Sequence, residues 1–163
     1  MTAANAAPPK ADPISVTADT KKGIIRGTAE INAPPERVFR ALTTEEMAEW
    51  WGHDGVYRTM DYKIDLRPGG RWGCKAIGGD GSESTVGGEY ITIDPPRLLE
   101  YTWEPSWDNF AVSKVRIEIT PMGAGSRVSI LHTGFEGREQ MATNHSEGWA
   151  RVFGWLAEYL AAK

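Results

Sequence analysis

The segment MATNHSEGWARVFGWLAEYL at residues 141–160 decides the fold, because it is the longest stretch of the chain with helical periodicity. Its apolar and aromatic residues recur at intervals of three and four, which predicts an amphipathic helix of about 20 residues. Such a helix must bury its apolar stripe against a partner surface. The strands predicted upstream offer that surface, so we expect the helix to pack on a sheet.

Alternating apolar and polar residues predict the sheet. We expect a first strand at residues 24–31 and further strands between residues 61 and 133, joined by turns rich in glycine and proline. After the first strand, Pro35 and Glu36 favour one short helix, and the capping-box spacing of Thr43 and Glu46 favours a second. The sequence thus predicts an α+β domain, with a curved antiparallel sheet of about seven strands around a long C-terminal helix and two short helices after the first strand.

Composition narrows the possible functions. The chain has 163 residues, a net charge of −4 and a pI near 5.4, which argues against nucleic acid as a partner. Its one cysteine, Cys74, allows no internal disulfide, and no apolar run is long enough to span a bilayer. The sequence has no metal-binding or nucleotide-binding motif. We therefore expect a cytoplasmic protein without metal, cofactor or membrane partner, either monomer or homodimer.

Domain organisation is expected to be simple. Residues 1–22 are rich in Ala, Pro, Thr and Lys and poor in large apolar residues, which predicts a disordered N-terminal tail. The folded domain is expected at residues 23–163, with no internal repeat and no second domain.

Short motifs in a fixed order resemble one protein superfamily. They are APPERVFRAL at residues 33–42, WW at 50–51, LRPGG at 66–70, DPPRL at 94–98, YTW at 101–103, HTGF at 132–135 and GW at 148–149. Over residues 24–161 the chain resembles the SRPBCC superfamily, also called START-like or helix-grip proteins. Within it, the chain is most similar to the subfamily related to the activator of heat-shock protein 90 ATPase. This resemblance implies the helix-grip (START/Bet v-like) fold.

The resemblance does not fix an activity, because the superfamily includes lipid carriers, hormone receptors, polyketide cyclases and co-chaperone modules. We expect binding of a small hydrophobic or aromatic molecule in a cavity between the sheet and the C-terminal helix. One alternative is a protein-interaction module with a chaperone as partner, as the subfamily implies. A further alternative is a cyclase-like or hydrolytic enzyme that uses the same cavity.

Several aromatic residues and two histidines are predicted to converge on the concave side of the sheet. This candidate ligand-binding set is Trp51, Tyr62, Trp72, Tyr101, Trp103, His132, His145, Trp149 and Phe153. Apolar walls with a few placed polar groups are typical of small-molecule sites, and His132 or His145 would be the polar anchor. Since buried aromatic residues also fill ordinary cores, the hypothesis depends on the set and not on any single member.

Other residues with potential chemistry are few. Glu89 is the one candidate catalytic acid: it points inward if Tyr90 faces solvent and outward if Tyr90 is buried, and a β-bulge near Gly87 and Gly88 could set either parity. Gly148 inside the predicted helix costs roughly 0.5–1 kcal/mol relative to alanine, which either close backbone packing or room for a ligand could offset. Cys74 is interpreted as a small core residue.

Overall fold

The structure is a computed structural model, and it describes residues 13–161. Within these residues, the fold has nine strands, three helices and one short 3-10 helix. In chain order they are β1 (Ile14–Asp19), β2 (Ile24–Ile31), α1 (Pro35–Thr43), α2 (Met47–Trp50), β3 (Gly52–His53), β4 (Tyr57–Ile64), β5 (Arg71–Gly78), β6 (Glu83–Asp94), β7 (Leu98–Pro105), the 3-10 helix (Ser106–Asp108), β8 (Ser113–Met122), β9 (Gly125–Thr133) and α3 (Glu139–Ala161).

All nine strands belong to one antiparallel sheet in the order β1-β2-β9-β8-β7-β6-β5-β4-β3. From β3 to β9 the chain forms a meander, and β2 joins its far end by pairing with β9. Helix α3 lies against the concave side, and α1 and α2 connect β2 to β3. The predicted α+β architecture, with a curved antiparallel sheet, a long C-terminal helix and two preceding short helices, is confirmed.

Strand β1 corrects the prediction of a tail through residue 22. Residues 14–19 pair along their whole length with β2, from Ile14 opposite Ala29 to Asp19 opposite Ile24. Ile14, Val16 and Ala18 alternate with polar residues and pack against the core. The alternation spans only six residues in a segment that is otherwise polar, so composition alone does not predict a strand there. Residues 1–12, the remainder of the predicted tail, lie outside the described part of the chain.

The strands β1, β2, β9 and β8, which we call the packed half of the sheet, have a small aliphatic interior. Ile25, Val115, Val128 and Leu156 are among its fully buried side chains. At Gly27 a β-carbon would lie 3.1–3.3 Å from side-chain atoms of neighbouring residues, including a ring carbon of Phe153. The packed half therefore closes tightly on α3 at β1 and β2, while α1 packs on β8 and β9.

The strands β4, β5, β6 and β7, which we call the open half, curve away from α3. The register shifts between Met60 and Lys63 in β4, and again between Tyr90 and Thr92 in β6. A β-bulge bends its strand and increases the local twist, so these two irregularities turn this half of the sheet outward. The sequence suggested a β-bulge near Gly87 and Gly88, and the second shift lies a few residues after them.

No helix in the described residues is long and apolar enough to cross a membrane.

Candidate ligand-binding site

A cavity of about 370 Å³ lies between α3 and the open half, and it is partly open to solvent. Side chains from α1, α2, β4–β7, the 3-10 helix and α3 surround it, and most of them are aromatic or aliphatic. The cavity forms here because the bulged strands curve away from α3. Large aromatic rings border the resulting space without filling it.

The structure brings most of the predicted set to this cavity. Seven predicted residues line it: Trp51, Tyr62, Trp72, Tyr101, Trp103, His145 and Trp149. The other two do not reach it, since His132 is 0% exposed behind Trp103 and Trp149, and Phe153 is 1% exposed in the packed half. The alternation along β9 correctly predicted that His132 points to the inner face of the sheet. The cavity does not reach His132, because it lies between α3 and the open half.

Tryptophan rings form one continuous wall of the cavity. Trp51 stacks on Trp103 at a centroid distance of 6.2 Å and meets the edge of Trp149 at 5.9 Å. On the other side, Trp103 lies 5.8 Å from Trp72, which meets Tyr101 at 5.4 Å. Offset and edge-to-face contacts at such distances are favourable aromatic geometries, so the rings support one another.

His145 fixes the orientation of Trp103. The Trp103 indole N–H donates to His145 Nε2 at 3.1 Å, and His145 Nδ1 lies 2.9 Å from the carbonyl oxygen of Met141. Because an indole nitrogen can only donate, Nε2 must be the acceptor, and the proton is on Nδ1. Burial lowers the pKa of His145, which favours this neutral imidazole.

His132 holds Trp149 with the opposite tautomer. The Trp149 indole N–H donates to His132 Nδ1 at 3.0 Å, so the proton is on Nε2, which lies 2.7 Å from Ser113 Oγ. The hydroxyl of Ser113 in turn donates to the Trp103 carbonyl oxygen. Burial, with the nearby His145, holds the pKa of His132 well below its usual value.

Both ring nitrogens of each histidine are thus occupied by protein groups. These bonds count against the expectation that His132 or His145 would be the polar anchor for a ligand. The imidazoles hold the indoles of the cavity wall in place, and a ligand could bond to either histidine only by displacing one of these protein groups.

Other polar groups on the cavity wall have no protein partner. The hydroxyls of Tyr90 and Tyr101 make no hydrogen bond within the described residues, and neither oxygen is fully enclosed. Burial raises the pKa of Tyr90 to about 12, so this hydroxyl is a neutral donor. Trp72 Nε1 also lacks a partner among the described residues, but protein atoms enclose it, and a ligand acceptor reaches it only after the indole shifts.

The sequence analysis missed Tyr57 and Trp107, which also line the cavity. Tyr57 was missed because the bulge in β4 reverses the alternation: Tyr57 and Thr59 point inward before it, and Tyr62 points inward after it. Trp107 lies on the 3-10 helix and stacks on His145 at 6.2 Å. Its position in a loop gave no periodic signal.

The candidate acid Glu89 does not reach the cavity. Tyr90 is buried and Glu89 is exposed, because alternation along β6 places them on opposite faces of the sheet. No Asp or Glu among the described residues lines the cavity, and no group of three or more metal-ligating side chains occurs in residues 13–161. Burial raises the pKa of Cys74 to about 11, so its thiol stays protonated and unreactive.

The curved sheet closed over a C-terminal helix defines the helix-grip class of proteins. The family described as activator of Hsp90 ATPase homolog 1-like protein matches residues 32–161. The chain belongs to this family. No curated protein matches the chain.

Solved structures share the fold. A crystal structure from Mycobacterium smegmatis is 22% identical with a TM-score of 0.78, covering 93% of this chain and 99% of that one. A solution structure from Arthrobacter aurescens is 18% identical with a TM-score of 0.80, covering 93% and 94%. The AHSA1 protein from Silicibacter pomeroyi is 25% identical with a TM-score of 0.73, covering 85% and 98%.

Proposed function

We propose that the protein binds a small hydrophobic or aromatic molecule, non-covalently, in the cavity beneath α3. The observation that carries this proposal is the aromatic cavity of about 370 Å³. Ligand sites are typically clefts of roughly 300–1,000 Å³ with mostly apolar walls and few polar groups. The tryptophan wall and the unbonded hydroxyls of Tyr90 and Tyr101 fit that description.

The rigidity of the wall supports binding. Trp103 and Trp149 are each fixed by a hydrogen bond to a neutral histidine, and Trp51 packs against both. Rings held in this way do not need to be ordered when a ligand arrives, and preorganisation lowers the cost of association. The same bonds keep the indoles from collapsing into the open space.

Gly148 supports the proposal further. A β-carbon built at this position meets no heavy atom within 4 Å, apart from those of adjacent helix backbone. Close backbone packing therefore does not explain this glycine, although glycine costs a helix interior roughly 0.5–1 kcal/mol. Its position on the cavity lining makes room for a ligand the explanation that we favour.

A thermal-shift screen tests the proposal, with lipids, phenolics and polyketide-like compounds as probes. At a ligand concentration 100 times its Kd, the folded state should gain about 2.7 kcal/mol. Native mass spectrometry of protein purified from cells would identify a bound molecule directly. The absence of any shift over the whole panel, together with an unliganded mass, would contradict the proposal.

Two leucine variants on one helix make the location specific. Gly148→Leu places a side chain in the cavity, whereas Gly154→Leu places the same side chain on α3 outside it, since Gly154 does not line the cavity and its β-carbon also meets nothing within 4 Å. We expect Gly148→Leu to abolish the thermal shift of a binding compound and Gly154→Leu to retain it. Equal retention in both variants would place binding elsewhere.

One observation favours a second candidate function, a protein-interaction module. Trp107, Phe110 and Val112 expose 47%, 59% and 61% of their surface, and all three lie in the short segment between β7 and β8. Contiguous exposed apolar side chains often mark contacts with other proteins. A chaperone pull-down and ATPase assay with native protein and with Phe110→Ser would test this function. Loss of an interaction in Phe110→Ser, with the thermal shift intact, would separate it from cavity binding.

A further inference from the structure

Among the described residues, the cavity lining contains one charged side chain, Arg151 on α3. Arg151 is exposed, so it lies where the cavity opens to solvent and not in its aromatic interior. The protein as a whole carries a net charge of −4, so this cation is not part of a generally basic surface. An isolated positive charge therefore marks the mouth of the cavity.

Arg151 also lacks the carboxylate partner that arginines in this protein usually have. Every other arginine of residues 13–161 except Arg26 forms an ion pair. Glu147 lies one helical turn before Arg151 on α3, at the spacing of a helical i,i+4 pair, but the two side chains form no ion pair within residues 13–161. The guanidinium of Arg151 therefore presents its donors to solvent or to a guest.

Tyr57 provides a second donor beside Arg151. Its ring packs edge-on against Trp155, one turn after Arg151 on α3, at a centroid distance of 5.5 Å. Burial raises the pKa of Tyr57, while the Trp51 indole and the positive charge of Arg151 act in the opposite direction. Because Trp155 and Arg151 lie one turn apart on α3, Tyr57 packs against the same stretch of the helix that carries Arg151, and both residues line the cavity.

We propose that the ligand is an amphipathic anion, with an apolar or aromatic body and one carboxylate or sulfonate group. This proposal rests on the proposed function of the cavity and specifies its ligand. The body lies along the tryptophan wall, and the anionic group lies at the mouth between the Arg151 guanidinium and the Tyr57 hydroxyl.

The division of polarity along the cavity fits such a molecule. Burying an unpaired charge is costly, so an anion in the interior, where the free polar groups are neutral hydroxyls, would be rejected. At the mouth, water still reaches the anion, and hydrogen bonds from a charged donor are stronger than neutral ones. The same arrangement discriminates against cationic amphipaths, since their charge would lie beside Arg151.

A matched pair of fluorescent probes separates charge from shape. Anilinonaphthalene sulfonate is an aromatic anion, and N-phenylnaphthylamine has the same ring skeleton without the sulfonate. Each is titrated into native protein, Arg151→Gln and Arg26→Gln. Arg26 is the matched control because it is also exposed and unpaired, but it lies on β2 away from the cavity.

We expect Arg151→Gln to lower the affinity for the sulfonate probe about tenfold, which corresponds to about 1.4 kcal/mol. The affinity for the neutral probe should change less than twofold. Arg26→Gln should leave both affinities unchanged. In native protein, added sodium chloride should weaken binding of the sulfonate probe but not of the neutral probe, because salt screens the charge interaction. Binding of both probes with an equal effect, or no effect, of Arg151→Gln would overturn the anion proposal and leave cavity binding standing. Failure of both probes to bind native protein would instead contradict cavity binding itself.

Discussion

The packed half and the open half of the sheet face the same helix, yet they have different interiors. In the packed half, small aliphatic side chains such as Ile25 and Val128 are fully buried, and α3 contacts β1 and β2 directly. In the open half, rings such as Trp72 and Tyr62 are only half-buried and border the cavity. One amphipathic helix thus completes a core on one side and borders a cavity on the other.

Two glycines show the difference at the scale of one methyl group. A β-carbon at Gly27, in the packed half, would lie 3.1 Å from Val16 and 3.3 Å from Phe153, whereas one at Gly148, facing the open half, would meet nothing within 4 Å. The first glycine permits close packing, and the second leaves space. The comparison indicates that aliphatic residues close the fold, and that bulges and stacked rings keep part of it open.

The largest expected effect comes from breaking the packed half with Phe153→Ala. Phe153 is 1% exposed and packs on Gly27 and Trp149, so its removal leaves a void that the neighbours cannot fill. We expect a loss of about 3–5 kcal/mol in the free energy of unfolding, measured by urea denaturation. Trp51→Ala, on the cavity wall, should cost less although its ring is larger, because it enlarges an existing space. An equal or greater cost for Trp51→Ala would contradict the distinction between the halves.

Gly27→Ala should come next. The added methyl group would press on Val16, Ile130 and Phe153, and overpacking typically costs about 1–3 kcal/mol. Val16 lies on the edge strand β1, so Gly27→Ala combined with Val16→Ala should recover part of the loss in the same denaturation experiment. A neutral or stabilising Gly27→Ala would mean that β1 moves aside freely and that this half is not tightly closed.

The periodicity of the sequence predicted the elements of the fold well, because α3 and most strands carry long, regular patterns. Strand β1 was missed, since Ile14, Val16 and Ala18 give a weak alternation inside a polar segment. The bulge in β4 could not be predicted either, because its register depends on pairing with β5 and not on local residue type. Without this bulge, the alternation counted back from Tyr62 would place Tyr57 and Thr59 on the outer face of the sheet.

For the site, the sequence identified the aromatic character but not the arrangement of polar groups. Alternation correctly placed Trp72, Tyr101 and Trp103 on the inner face. Nothing in the spacing of His132 or His145 could reveal that each accepts a hydrogen bond from a tryptophan distant in sequence. Likewise, nothing in the sequence distinguishes Arg151 from other exposed arginines, because its place at the cavity mouth depends on the fold.

The two histidines allow a test by pH. Burial lowers the pKa of both, and more so for His132, which is 0% exposed, than for the cavity-lining His145. Below the unfolded pKa of about 6.5, the unfolded chain therefore binds more protons than the native one, and stability rises with pH. We expect the free energy of unfolding to fall on acidification below pH 6.5, by at most about 1.4 kcal/mol per pH unit for each histidine, and this contribution to be complete above it.

Nitrogen NMR of the imidazole rings measures the tautomer and the protonation of each histidine separately. The hydrogen bonds predict that His132 carries its proton on Nε2 and His145 on Nδ1. On lowering the pH, His145 should protonate before His132. Identical tautomers, or earlier protonation of His132, would show that the indole–imidazole bonds described here do not hold the wall. His53→Gln, which removes an exposed imidazole outside this network, identifies the third signal.

The smallest expected change is the most informative about function. Gly148→Ala and Gly154→Ala each replace a helical glycine whose β-carbon has open space around it, so each should stabilise the fold by about 0.5–1 kcal/mol in urea denaturation. The two variants should differ in binding: the Gly148→Ala methyl group occupies cavity space and should weaken a bound probe several-fold, while Gly154→Ala should not. If Gly148→Ala raises the stability and weakens binding, the result would indicate that the glycine at this position provides space for a ligand. If Gly148→Ala were stabilising and bound every probe as native protein does, the space beside Gly148 would not be part of the site.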